Sequence, residues 1–200
     1  MPSEKDPKYF LKMPHINYDK NFLFVHIPKC AGNSIKKVLG LNNHDHTSIS
    51  YEHSIDKNLF KFAFVRNPWD RFVSAYEYLR GGSMPGYDKN YCSVVNNYPS
   101  FEKFLLSKIW IDWIHFLPQF EYISVNNNVC MDFIGKVENI HTDFNYICKK
   151  INIPNQDLPH INVSKRKKYI RYFKDDLQQI IAEHYATDIK YFEYTFGTLI

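Results

Sequence analysis

Residues 22–34 read FLFVHIPKCAGNS. Phe22 to Ile27 is an apolar run interrupted only by His26, the pattern of a strand buried on both faces. Pro28 stops it. Beyond the turn, Ile35, Val38 and Leu39 take up helical spacing and Gly40 can close the helix. A buried strand that runs through Pro-Lys into a helix start has the outline of an anion-binding loop. The first helical amides lack partners of their own, and a helix N-terminus favours an anion by about 0.3–1 kcal/mol. Gly32 allows a ligand close to the backbone, Lys29 adds a positive charge, and Asn33 and Ser34 offer donors. The nucleotide loop GxxxxGK[ST] is absent, because the lysine precedes the glycine. An ordinary βα turn with a solvated lysine fits the same letters.

A second strand-to-helix turn follows in FAFVRNPWDRFVSAY, residues 62–76. Phe60 to Val65 reads as a strand, Asn67 as an N-cap and Pro68 as the first residue of a helix that runs to Gly81-Gly82. Arg66 stands at the strand exit and Ser74 two helical turns on. A guanidinium can grip a phosphate bidentately. A structural ion pair for Arg66 and an incidental place for Ser74 are the plain alternative.

The remaining chain alternates in the same way. Residues 1–20 read as an irregular lead-in, 83–99 as a turn-rich surface loop, and 101–106 and 110–120 as helical. A third strand is expected at 131–137, followed by a helix with Ile140, Phe144, Ile147 and Ile151 on one face. A last helix carries Leu177, Ile180, Ile181, His184 and Tyr185. The expectation is a single α/β domain over residues 21–200 with a mostly parallel central sheet flanked by helices. Ligands of such sheets sit at the carboxyl ends of strands, where both turns fall.

In combination, HIPKCAGNS and FAFVRNPWDRFVSAY resemble the sulfotransferase superfamily that uses 3′-phosphoadenosine 5′-phosphosulfate (PAPS). The likeness is to its carbohydrate and heparan 2-O-type branch and bacterial relatives. It continues through FLPQFEYI, DFIGKVENIHTDF and LPHINVSKRKKY to the last helix. The resemblance implies a P-loop-like three-layer fold and PAPS as sulfuryl donor, with no metal required. It implies that Lys29, Cys30, Ala31, Gly32, Asn33 and Ser34 hold the 5′-phosphosulfate, and that Arg66 and Ser74 hold the 3′-phosphate. The family often has Thr where Cys30 and Asn33 stand, changes that backbone contacts would survive. A late basic loop often closes over the nucleotide in this family, which points to Lys165 and Arg166 in SKRKK. By composition alone that patch is a solvated basic loop. Gln119 and Tyr122 resemble a family position near the acceptor or nucleotide; otherwise they are the polar face of a helix end.

Sulfuryl transfer to an alcohol needs the acceptor proton removed, and a positioned base contributes about 10²–10⁴-fold. NNHDHTSISYEHSI, residues 42–55, supplies His44, His46 and His53. The resemblance implies that the second His of His-x-His, His46, is the base in an in-line displacement. His44 would bind or orient the acceptor, with His53 and Glu52 as further candidates. Lys29 would stabilise charge on the departing phosphate. A His-rich surface loop is the plain alternative. Trp69 can stack on a base or simply pack, and His141, His160 and His184 read as structural.

Composition narrows the partners. Two hundred residues with 44% hydrophobic content can bury a core, and a net charge of +4 is too small to argue for nucleic acid. Cys30, Cys92, Cys130 and Cys148 form no CxxC or zinc spacing, so no structural metal is expected. The start, MPSEKDPKYFLKMP, is charged and proline-broken, unlike a signal peptide, and no run reaches the ~20 apolar residues of a membrane span. A cytoplasmic enzyme acting on a hydroxyl-bearing acceptor, a glycan by resemblance, is expected. Two other readings stay open: a P-loop kinase-like phosphotransferase, and a non-catalytic anion- or RNA-binding module.

Overall fold

The computed structural model describes residues 13–42, 46–49, 56, 58–82, 88–159, 166–174 and 176–197. In chain order its elements are β1 (His15–Asn17), β2 (Phe22–Val25), α1 (Gly32–Leu39), β3 (Phe60–Val65), α2 (Pro68–Arg80), α3 (Asp88–Asn96) and α4 (Phe101–Ser107). Then come α5 (Phe120–Ile123), β4 (Ser124–Val125), β5 (Asn128–Val129), β6 (Phe133–Lys136), α6 (Ile140–Lys150), α7 (Leu177–His184) and α8 (Ala186–Phe192). The chain forms two compact units, Met1–Arg66 with Pro118–Asn162, and Asn67–Leu117 with Val163–Ile200.

The first unit holds the sheet. Its strands lie in the order β1-β2-β3-β6, with β1 antiparallel to β2 and the other two pairs parallel. This is the mostly parallel α/β sheet expected from the alternation of strands and helices. All four residues of β2 and the last four of β3 are buried, as their unbroken apolar runs require. The rings of Phe24 and Phe62 stack at 5.1 Å across the strand pair. In the β2–β3 register Phe22 pairs with Phe60 and Val25 with Ala63.

The lead-in contains a strand that sequence reading passed over. β1 pairs His15 with Phe24 and Asn17 with Phe22. Three residues with one aliphatic side chain carry no readable alternation, so the neighbour's open edge, not propensity, makes this strand. β6 falls inside the expected 131–137, and the apolar face of α6 is buried through Phe144 and Ile147.

The second unit is helical and aromatic. Asn67 caps α2, its side chain accepting from the amides of Trp69 at 3.2 Å and Asp70 at 3.4 Å, with Pro68 at the first helical position. Phe72 meets Phe116 at 4.7 Å and Trp110 edge-on at 4.8 Å, which accounts for much of the aromatic content. Three expectations are corrected in this unit and beside it. Residues 83–99 are not all loop, since α3 spans Asp88–Asn96 and buries Cys92 and Val95. Residues 110–120 are not one helix: successive tight turns precede Phe120, the first residue of α5, with Trp113 N–H on Trp110 O at 2.9 Å and Phe116 N–H on Trp113 O at 2.8 Å. The helix expected at Leu177 is α7, but it is not the last: α8 follows after Tyr185, whose hydroxyl donates to Phe116 O at 2.6 Å.

Candidate active site

The loop after β2 is a tight turn built from strained residues. Cys30 N–H donates to Ile27 O at 3.4 Å, with Pro28 and Lys29 at the corner. Lys29 has φ 64° and Ala31 φ 61°, the left-handed region that costs a side-chain-bearing residue of order 1–3 kcal/mol. Ala31 is the N-cap of α1, and its carbonyl accepts from the amides of Ser34 at 3.0 Å and Ile35 at 3.2 Å. No acidic residue stands in the first turn of α1, so nothing there competes with an anion. Asn33 is exposed, Lys29 half-buried and Ser34 buried.

Arg66 leaves β3 beside this loop. Its Nη1 donates to Lys29 O at 3.2 Å. Gln119, fully buried, fixes the main chain behind that guanidinium. Its Oε1 accepts from Arg66 N–H at 2.8 Å and its Nε2 donates to Arg66 O at 2.9 Å. The same Oε1 accepts from the Cys30 thiol at 3.2 Å. Cys30, 1% exposed, therefore turns its sulfur into the protein. Tyr122 is also fully buried, and its carbonyl accepts from Ser48 Oγ at 3.2 Å.

The histidine segment is anchored to the end of β2. His26 N–H donates to Thr47 Oγ1 at 2.7 Å, and Thr47 N–H to His26 O at 3.2 Å. That pairing sets the His46 ring 4.8 Å from the His26 ring, between centroids. Gly32 makes room for a side chain of the protein itself: a β-carbon on it would fall 1.9 Å from Cδ2 of His26. His44, Glu52, His53, His160 and Lys165 lie outside the described residues.

In the second unit, Asp70, Ser74 and Glu77 follow one another at i, i+4 and i+7 on α2 and so share a face. Arg166 makes a part-buried ion pair with Asp70, and Tyr172 OH donates to Glu77 Oε1 at 2.9 Å. Ser74 stands between them. The Tyr172 hydroxyl is pushed up to about 12, first by burial and then by its bond to Glu77 and that carboxylate's charge. His184 Nε2 lies 3.2 Å from Phe116 O, and Trp69 Nε1 donates to Gln178 O at 2.9 Å. Both are packing roles.

Sequence reasoning missed His26 and Asp70. The one polar letter in a buried strand, six residues before a glycine, was a signal for the first; an acid in the opening turn of a helix gives none for the second. Among the described residues, no group of His, Cys, Asp and Glu could hold a metal, and no helix is long and apolar enough to cross a membrane.

The sequence profile of the sulfotransferase family matches residues 15–195. The chain belongs to this family. The family's P-loop-like fold is the one its sheet adopts. Among relatives of this chain, an uncharacterised protein of Archaeoglobus fulgidus is 34% identical over 119 residues, covering 58% of the chain and 89% of the relative. Carbohydrate sulfotransferase 14 of Mus musculus is 24% identical over 187 residues, 75% of the chain and 48% of the relative. That of Danio rerio is 23% identical over 195 residues, 78% and 52%. The chain thus spans about half the length of the two carbohydrate sulfotransferases. No solved structure matches it.

Proposed function

We propose that the chain transfers a sulfuryl group from PAPS to a carbohydrate hydroxyl. The observation that carries this reading is the meeting of Lys29 and Arg66. Two cationic residues sit at the ends of neighbouring parallel strands, joined by the bond from Arg66 Nη1 to Lys29 O at 3.2 Å. The strained loop and the acid-free start of α1 fit a phosphate-bearing donor.

The donor supplies an activated sulfuryl group. In the proposal, Lys29 and the amides from Cys30 to Ser34 hold its 5′ end and meet charge as it develops there. Cys30 takes part through its backbone, since its thiol is turned to Gln119. Arg66 and Ser74 take the 3′-phosphate. His46 accepts the acceptor's proton, held toward the loop by Thr47 on His26. Arg166 acts on the same face of α2 as Ser74, with Asp70 fixing its fork. A kinase-like reading would want a hydroxyl after Lys29 for a metal-nucleotide, and a buried thiol stands there instead.

Calorimetric titration with adenosine 3′,5′-bisphosphate, AMP and ATP·Mg²⁺ tests this, on the wild type and Arg66→Ala. Preference for the bisphosphate, lost in the variant, is the expected result. Equal or tighter binding of ATP·Mg²⁺ overturns it. Radiolabelled sulfuryl transfer from PAPS onto a panel of glycans then identifies the acceptor.

A further inference from the structure

We infer that Gln119 is a positioning residue that locks the two phosphate-binding elements together, setting selectivity for a nucleotide with a 3′-phosphate; this rests on the PAPS reading above. The side chain is fully buried, so direct contact with an acceptor is not its task. Its amide occupies both main-chain groups of Arg66, at 2.8 and 2.9 Å, as a neighbouring strand would. Arg66 is the residue just past the end of β3, where ladder pairing has stopped. Without Gln119, the part-buried N–H and C=O of Arg66 would lose these partners. The carboxamide oxygen also receives the Cys30 thiol at 3.2 Å, within the loop whose Lys29 carbonyl receives Arg66 Nη1 at 3.2 Å. The four residues form a closed circuit: Gln119 to Arg66 main chain, Arg66 side chain to Lys29, Lys29 to Cys30 along the chain, and Cys30 back to Gln119.

Only a carboxamide completes this circuit, because it must accept twice on one atom and donate from the other. A carboxylate at the same place accepts but has no N–H for Arg66 O. A cysteine at position 30 fits the same logic. Its side chain serves the clamp rather than the ligand, so serine can replace it as a donor but alanine cannot.

The test compares Gln119→Ala, Gln119→Glu, Cys30→Ala and Cys30→Ser with the wild type in two measurements. Amide hydrogen exchange on the ligand-free chain reports the clamp itself. Exchange should rise at least tenfold at Arg66 and, in parallel, in the 28–34 loop for Gln119→Ala and Cys30→Ala, with Cys30→Ser near wild type. Calorimetry then gives the ratio of affinities for adenosine 3′,5′-bisphosphate and AMP. Gln119→Ala and Gln119→Glu should lower that ratio tenfold or more, with AMP affinity falling by a smaller factor because AMP lacks the phosphate that Arg66 meets. A role confined to stability lowers both affinities alike, and that result, or unchanged exchange at the loop, overturns the inference. Should the Gln119 variants not fold, the Cys30 pair decides: equal exchange in Cys30→Ala and the wild type refutes the circuit. A wild type with no bisphosphate preference overturns the PAPS reading and the selectivity role with it, while the exchange measurement still decides the clamp.

Discussion

The imidazole of His26 occupies the space that a β-carbon on Gly32 would need, 1.9 Å from its Cδ2. The last residues of one element and the first of the next are therefore fitted together by a missing side chain. Gly32→Ala should destabilise the fold by about 1–3 kcal/mol, as overpacking does. The cost should fall well below the sum of the single effects when His26→Ala is combined with it, because the two share one contact. Urea unfolding of the two single variants and the double variant measures this; strict additivity would refute the contact.

Lys29 holds its charge in a backbone conformation that suits glycine, φ 64°. Lys29→Gly should raise stability by about 1 kcal/mol by relieving that conformation, while sulfuryl transfer falls at least a hundredfold. Lys29→Ala should lose transfer equally and gain no stability. Thermal unfolding and transfer assays on both variants separate strain from charge.

Arg166 and Asp70 are both largely buried, the side chains 11% and 3% exposed. Asp70→Asn leaves a buried guanidinium without its carboxylate and should cost about 3–5 kcal/mol. Adding Arg166→Met should restore most of that loss. Denaturant midpoints decide, and a double variant no better than the single one would contradict the pairing.

Tyr172 carries a stability that depends on alkaline pH. Its hydroxyl ordinarily titrates near 10.0 and is pushed to about 12 in the folded chain, by burial ahead of Glu77. Since the folded value is the higher one, the contribution is complete below pH 10 and disappears as pH rises through 12. Tyr172→Phe should lose the bond to Glu77, about 0.5–1.5 kcal/mol at neutral pH, and flatten this part of the pH–stability curve. Chemical unfolding at a series of alkaline pH values provides the check.

His46→Ala should lower transfer by about 10²–10⁴-fold and remove the acid limb of the pH–rate profile, with bisphosphate affinity changed less than threefold. A variant that keeps its acid limb would move the base to His44 or His53.

The parts of this molecule that announce themselves are those whose chemistry is local. Two unbroken apolar runs, Asn67-Pro68 and Gly40 mark β2, β3, α1 and α2 directly. β1 and α3 were hidden because their residues are polar and their form is imposed by neighbours; α3 buries little beyond Cys92 and Val95. The 110–120 stretch misled because its Trp and Phe spacing fits a helix as well as a series of turns around one aromatic cluster. Within the site, Lys29, Arg66 and the glycine notch could be found from spacing. The roles of Gln119 and Asp70 depend on partners distant in the chain, which no local pattern encodes.

The circuit through Lys29, Cys30, Arg66 and Gln119 also has a consequence for how the chain folds. Its members come from three separate stretches, and β2 must find β3 across a long intervening segment before the bond from Arg66 to Lys29 can close it. Until then nothing holds Lys29 in its unfavourable backbone state. The loop is thus a late product of folding rather than a preformed motif on the nascent chain. A nucleotide that recognises only the finished arrangement should slow unfolding and leave the rate of folding almost unchanged.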